Sequence, residues 1–234
     1  MNTSGLSWTR RIAAVASLGD EHRRRLFEYV LGAASPVGRD EAAAAMDLPR
    51  STASFHLDRL VREGVLRVEF RKPANKAGPG SGRPAKLYSP ELQEVAASIP
   101  ERNYDLAGHL MAEAISRSAV AGIPVDEALA DVAGDRGRDS GKPGDLPGAL
   151  RELGYEPSPD GSGGYRLLNC PFHRLSQEHQ DVVCTMNGAF LRGVASSSGS
   201  PAEAVVPDSS AGHCCARITD VGDGTGRQAP GSVE

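Results

Sequence analysis

The sequence predicts an α+β protein in two parts: an N-terminal module of short helices closed by a β-hairpin, then a small α+β C-terminal domain. Apolar residues recur at helical spacing through residues 20–63, and the pattern then switches to strand alternation over residues 65–71. Glycine and proline together make 43 of the 234 residues, so turns and loops take up much of the chain. Charge is divided as well. Residues 1–90 hold 15 Lys/Arg against 9 Asp/Glu, and residues 91–234 hold 11 against 21. The net charge of −4 therefore joins a basic half to an acidic one, and only the basic half suits a polyanion.

The segment Asp20–Ala33 opens with acidic residues, as a helix N-terminus prefers, and Leu26, Phe27, Val30 and Leu31 form its apolar face. Gly32 and Pro36 end it. An alanine-rich helix is expected over Gly38–Met46, with a turn at Asp47-Leu48-Pro49. A third helix runs Arg50–Glu63, with Ala53, Leu57, Leu60 and Val61 as its buried stripe and Gly64 as its stop. Ser51, Thr52, Ser54, Phe55, His56 and Arg59 lie off that stripe. Val65–Arg71 and Ala85–Ser89 read as paired strands around the glycine- and proline-rich stretch Lys72–Pro84.

Further along, a helix over Leu106–Ala121 carries Leu110, Ala114 and Ile115 near one face and suits a dimer element or an ordinary packing helix. Val125–Ala133 and Leu146–Leu153 read as short helices separated by a polar, mobile linker, Gly134–Gly144. Tyr155–Glu156 and Gly164–Leu168 flank a turn-rich stretch and suggest a hairpin. Helix is expected again over Leu175–Gly193, a flexible loop at Ser196–Ser200, and a last strand at Ala216–Thr219. This divides the chain into a DNA-binding module at 10–90, a connector or dimerisation helix at 91–123, a cysteine-containing sensor domain at 124–221 and a disordered tail at 222–234.

Two short helices, a tight turn and a polar-faced helix make a helix-turn-helix, and the hairpin is its wing. A helix that enters the major groove needs short polar side chains near its N-terminus to reach base edges. Ser51, Thr52, Ser54 and His56 meet that need, Phe55 shares the face, and Arg50 and Arg59 can pair with phosphate or guanine. In the wing, Arg71, Lys72, Lys76 and Arg83 are candidate backbone or minor-groove contacts. Residues 20–90 resemble the ArsR-type winged helix family, through Ser51–Leu60, Glu63-Gly64-Val65-Leu66 and the wing. The resemblance implies a homodimer on palindromic double-stranded DNA.

Four cysteines, Cys170, Cys184, Cys214 and Cys215, fall in the acidic half, with His173 and His213 beside them. Thiolates converging from separate elements are what a soft metal or an iron–sulfur cluster requires. No Cys-x-x-Cys is present, so a zinc ribbon is excluded; adjacent Cys214 and Cys215 make one of the two a bystander for a small ion. The wing followed by a C-terminal cysteine set resembles the Suf-operon iron–sulfur repressors, through Gly144–Cys184 and on to Cys215. That resemblance implies an iron–sulfur cluster on Cys170, Cys184 and one of Cys214 or Cys215, with His173, His213 or an outside group as fourth ligand. The 29 residues between Cys184 and Cys214 depart from the family's more even spacing. Zinc, or metal-free thiols that respond to redox state or sit beside a small organic ligand, are the alternatives.

The sequence carries no Ser-His-Asp arrangement and no phosphate-binding glycine loop; the run Gly78–Pro84 lies between two strands. A regulator is expected, with a cysteine-dependent enzyme as the remote alternative. No apolar run approaches a membrane span and no leader is recognisable at the N-terminus, so a cytoplasmic protein with no membrane partner is expected.

Overall fold

The structure, a computed structural model, describes residues 6–71, 84–208 and 213–219. The chain divides into two units, Met1–Ser98 and Ile99–Glu234.

The first unit begins with α1 (Trp8–Leu18), which buries Ala14 and Ser17 and was not anticipated from the sequence. The Trp8 indole N–H donates to the Ser98 carbonyl at 2.9 Å, tying the start of the unit to its end. Helix α2 (Glu21–Gly32) starts where predicted, because the Asp20 carboxylate accepts the Arg23 N–H at 3.0 Å as an N-cap. The short strand β1 (Val37–Gly38) precedes α3 (Arg39–Met46). Asp47, at φ 52°, then turns the chain into α4 (Arg50–Arg62). Strands β2 (Leu66–Arg71) and β3 (Ala85–Pro90) form the wing, and the antiparallel sheet has the order β1-β3-β2, with Val68 opposite Tyr88. Leu26, Val30, Val37, Leu57, Leu60, Val65 and Tyr88 fill one core beneath the helices. The wing tip at 72–83, with the candidates Lys72, Lys76 and Arg83, lies outside the described residues.

The second unit contains α5 (Tyr104–Ala121), α6 (Val125–Ser140), α7 (Leu146–Glu152), β4 (Pro157–Pro159), β5 (Tyr165–Leu167), α8 (His173–Glu178) and α9 (Gln180–Ser197). A 3-10 turn (Ala202–Ala204), β6 (Val205–Pro207) and β7 (Ala216–Ile218) complete it. Its sheet is antiparallel, in the order β4-β5-β7-β6. Helix α5 buries Ala107, Leu110 and Ala114 in this unit's own core, while Ile115 is exposed.

Three expectations need correction. The stretch Gly134–Gly144 is not a mobile linker. Helix α6 continues through it to Ser140, because its glycines allow α9 to approach. A Cβ on Gly137 would lie 2.0 Å from the Phe190 carbonyl oxygen, and one on Gly193 2.3 Å from the Gly134 carbonyl oxygen. The helix expected over Leu175–Gly193 is broken at His179 into α8 and α9. The loop expected at Ser196–Ser200 is partly helix, and Ser198 is buried, accepting the Lys142 N–H at 2.9 Å. The tail expected to be disordered, 222–234, lies outside the described residues.

Candidate nucleic-acid interface and thiol cluster

Helix α4 carries the residues expected to read the groove. Its N-terminus follows Pro49 and has no side-chain cap, so the amides of its first turn are left for an outside acceptor such as a phosphate. Arg50, Ser51, Phe55 and Arg59 are exposed, and Thr52 and Ser54 are half-buried. Arg50 pairs with Asp40 at 2.5 Å and Arg59 with Glu63 at 2.7 Å. The Arg50–Asp40 pair is exposed and weak enough to give way to a phosphate, whereas Glu63 is largely buried beside the exposed Arg59. Arg71, at the outer end of β2, is exposed beside Glu69.

The recognition helix is fixed to the wing by a polar contact inside the fold. The Asp58 carboxylate accepts the Tyr88 hydroxyl at 2.7 Å and also pairs with Lys86, both from β3. Ser54 lies beside the same tyrosine. Burial raises the Asp58 carboxyl, but its bonds to Lys86 and Tyr88 outweigh that and hold it below the usual carboxylate range.

His56 does not join the exposed face, as its neighbours on the helix had suggested. It is 9% exposed, packed against His22 and Phe55 with ring centroids 5.7 and 5.3 Å away. Its Nδ1 is 4.0 Å from the Asp20 carboxylate and has no hydrogen-bond partner. Burial pushes this imidazole below its usual pKa, against the pull of Asp20. The physical reason is helical phase: position 56 adjoins Leu57 and Leu60 on the inner side, so the ring turns toward the start of α2.

In the second unit the structure brings all four cysteines together as free thiols. Cys170 follows β5, Cys184 lies on α9, and Cys214 and Cys215 precede β7. Cys170 neighbours Cys214, Cys214 neighbours Cys215, and Cys215 neighbours Cys184, each pair close enough for one thiol to shift the titration of the other. Both adjacent cysteines lie beside Asn187, so position alone does not single out the expected bystander. The Cys214 N–H donates to the Leu167 carbonyl at 2.9 Å, which anchors the pair to β5. The neighbouring Cys214 thiol and the N–H of Phe172 hold the Cys170 thiol below its usual range, despite burial. Burial, followed by the neighbouring Cys215 thiol, raises Cys184 to about 12. The Cys170 thiol raises Cys214 to about 12, and the Cys214 thiol together with burial pushes Cys215 upward too.

Two residues missed in the sequence complete the cluster. Asn187 is fully buried at the middle of α9, and its amide N–H donates toward Cys214 Sγ at 3.2 Å and Cys215 Sγ at 3.6 Å. Its carbonyl accepts the buried Tyr155 hydroxyl at 2.5 Å. A lone amide between Val183, Met186, Ala189 and Phe190 was the available signal, since a buried amide needs partners. His173, a candidate ligand, faces Gln177 at 3.4 Å, while the Nδ1 of His213 is buried without a partner among the described residues. Among the described residues, no set of three or more His, Cys, Asp or Glu side chains is placed as ligands of one metal ion.

Residues 18–69 match a family model described as a helix-turn-helix domain, a span that covers α2, α3, α4 and the first strand of the wing. No curated protein and no solved structure matches the chain. The first unit is thus a helix-turn-helix domain with a β-hairpin wing, and the protein is a DNA-binding regulator of transcription. Among the described residues, no helix is long and apolar enough to cross a membrane.

Proposed function

We propose that this regulator is a dimeric repressor whose operator binding responds to an iron–sulfur cluster on the cysteines of its second unit. The convergence of four thiols from three separate stretches of chain is the observation that carries this reading. The donors are of the right kind, four sulfurs with an amide N–H from Asn187 directed at two of them, while the described side chains are not set around one ion. Cys170, Cys184, Cys214 and Cys215 would hold it, and when bound it supplies a reversible one-electron centre and a cross-link between β5, α9 and β7.

The protein's own residues do the rest. Asn187 hydrogen-bonds two of the sulfurs and Tyr155 fixes the amide, so the thiols are tied to α9. In the first unit, Ser51, Thr52, Ser54 and Phe55 meet base edges, Arg50, Arg59 and Arg71 neutralise phosphates, and Lys72, Lys76 and Arg83 extend that contact along the wing. His56 is left out of the set, because its ring is buried. The exposed side of α5 with Ile115 is the surface for a second copy.

Protein purified without oxygen is expected to be coloured, to contain iron and acid-labile sulfide, and to retard its own promoter region in a gel shift. Loss of the cluster is expected to change that retardation. A colourless, iron-free protein sinks the cluster and leaves the DNA-binding role standing.

A further inference from the structure

Cys184 and Cys215 differ from the other two cysteines in what they face. Cys170 and Cys214 are 6% and 0% exposed, whereas Cys184 and Cys215 are half-buried and line a cleft of about 350 Å³ between α9 and the β6–β7 pair. Cys184, Gly188 and Arg192 follow one another at four-residue spacing and so share the face of α9 that forms one wall. Val205, Val206, Pro207 and Ala216 form the other. Arg192 folds back over Gly188, where a Cβ would lie 3.4 Å from its Nη1, so the absence of a side chain there lets the guanidinium lie along the cleft. Asp181 also lines the cleft, about two turns of α9 before Gly188, so this carboxylate and the guanidinium over Gly188 mark opposite ends of the wall.

We propose that, in the metal-free protein, this cleft is a thiol-exchange site that accepts a carboxylate-bearing low-molecular-weight disulfide and closes a Cys184–Cys215 disulfide. The proposal deepens the reading of the cluster as the sensor, since it concerns the same sulfurs once they hold no cluster. Arg192 draws the carboxylate into the cleft. Cys184 loses its proton to water, and its sulfur forms a bond to one sulfur of the bound disulfide while the old S–S bond breaks and the first small thiolate leaves. Cys215, which lines the same cleft, loses its proton in turn. Its sulfur attacks Cys184 Sγ, releasing the second small thiolate. Two protein thiols are oxidised, and one small disulfide is reduced to two thiols.

The test uses the full chain, stripped of metal with a chelator and treated with glutathione disulfide or with uncharged bis(2-hydroxyethyl) disulfide. Peptide mass mapping is expected to find the Cys184–Cys215 bond, with Cys170 and Cys214 still open to alkylation after unfolding. Arg192→Gln is expected to slow the reaction with glutathione disulfide by roughly two- to fivefold, leave the uncharged reagent unaffected, and be rescued by Arg192→Lys. A bond mapped to Cys170–Cys214, a mixed disulfide that never resolves, no oxidation at all, or equal slowing with both reagents overturns the proposal. Iron content of the anaerobic protein is measured separately, so failure of the cluster and failure of the exchange site are told apart.

Discussion

His56 and Asn187 are polar residues on mainly apolar helix faces, and the fold treats them differently. Asn187 is satisfied on both sides, by Tyr155 and by the sulfurs, whereas His56 keeps an unpartnered Nδ1. Because burial lowers the His56 pKa, the unfolded chain binds a proton that the folded chain resists. Stability therefore rises with pH and is lost as pH falls below about 6.5 toward the lowered folded value. Thermal unfolding at pH 5.5 and 7.5 is expected to show this loss, and His56→Gln is expected to flatten it; an unchanged slope in that variant would count against the assignment. Asn187→Ala leaves the Tyr155 hydroxyl without its acceptor and is expected to cost about 1–3 kcal/mol in denaturant unfolding. The inward turn of His56 was hard to read in the sequence, since it lies one residue before Leu57 at the edge of the stripe. The thiols themselves were readable as a set, but their convergence was not, because 29 residues separate Cys184 from Cys214.

At the scale of elements, α2, α3 and α4 were legible because local chemistry marks their ends, whereas α1 was not. Asp20 caps α2, Pro49 opens α4, and Gly64, at φ 73°, closes the recognition segment. The second unit was less legible because its packing is carried by residues that look like loop. Gly134, Gly137 and Gly141 suggested a linker, yet they are the contact surface of α6 against α9. Gly137→Leu is accordingly expected to abolish cooperative unfolding of that unit, seen as loss of near-ultraviolet dichroism, since the blocking atom is backbone and has no rotamer to yield. In the first unit, Asp58→Ala removes the contacts of α4 with both Lys86 and Tyr88. It is expected to lower stability by about 1–3 kcal/mol and, by loosening the wing, to weaken DNA binding more than its distance from the exposed face suggests.

Over the whole molecule, polarity of charge and division of labour coincide. The excess of Lys/Arg lies within residues 1–90, and the boundary between the two units falls at Ser98 and Ile99. Binding to DNA is therefore expected to be strongly salt-dependent despite the acidic net charge. Arg59→Ala is expected to reduce the slope of log K against log salt by about 1, while Phe55→Ser should leave the slope intact and change which base is preferred. Fluorescence anisotropy across a salt series separates the two effects; a lowered slope for Phe55→Ser would place that residue against the backbone instead.

Helix α9 serves two neighbours at once. One side is locked to α6 through glycine contacts at backbone distance, and another carries Cys184 and Asn187 toward the sulfurs. A helix so tightly clamped has little freedom to shift, so chemical change at the cysteines must be absorbed by the lighter partner, the short strands β6 and β7. Amide hydrogen exchange makes the difference visible. The amides of α9 between Phe190 and Val194 should remain among the slowest in the protein whatever the state of the thiols, while those of Ala216–Ile218 should change their protection when the sulfurs are joined.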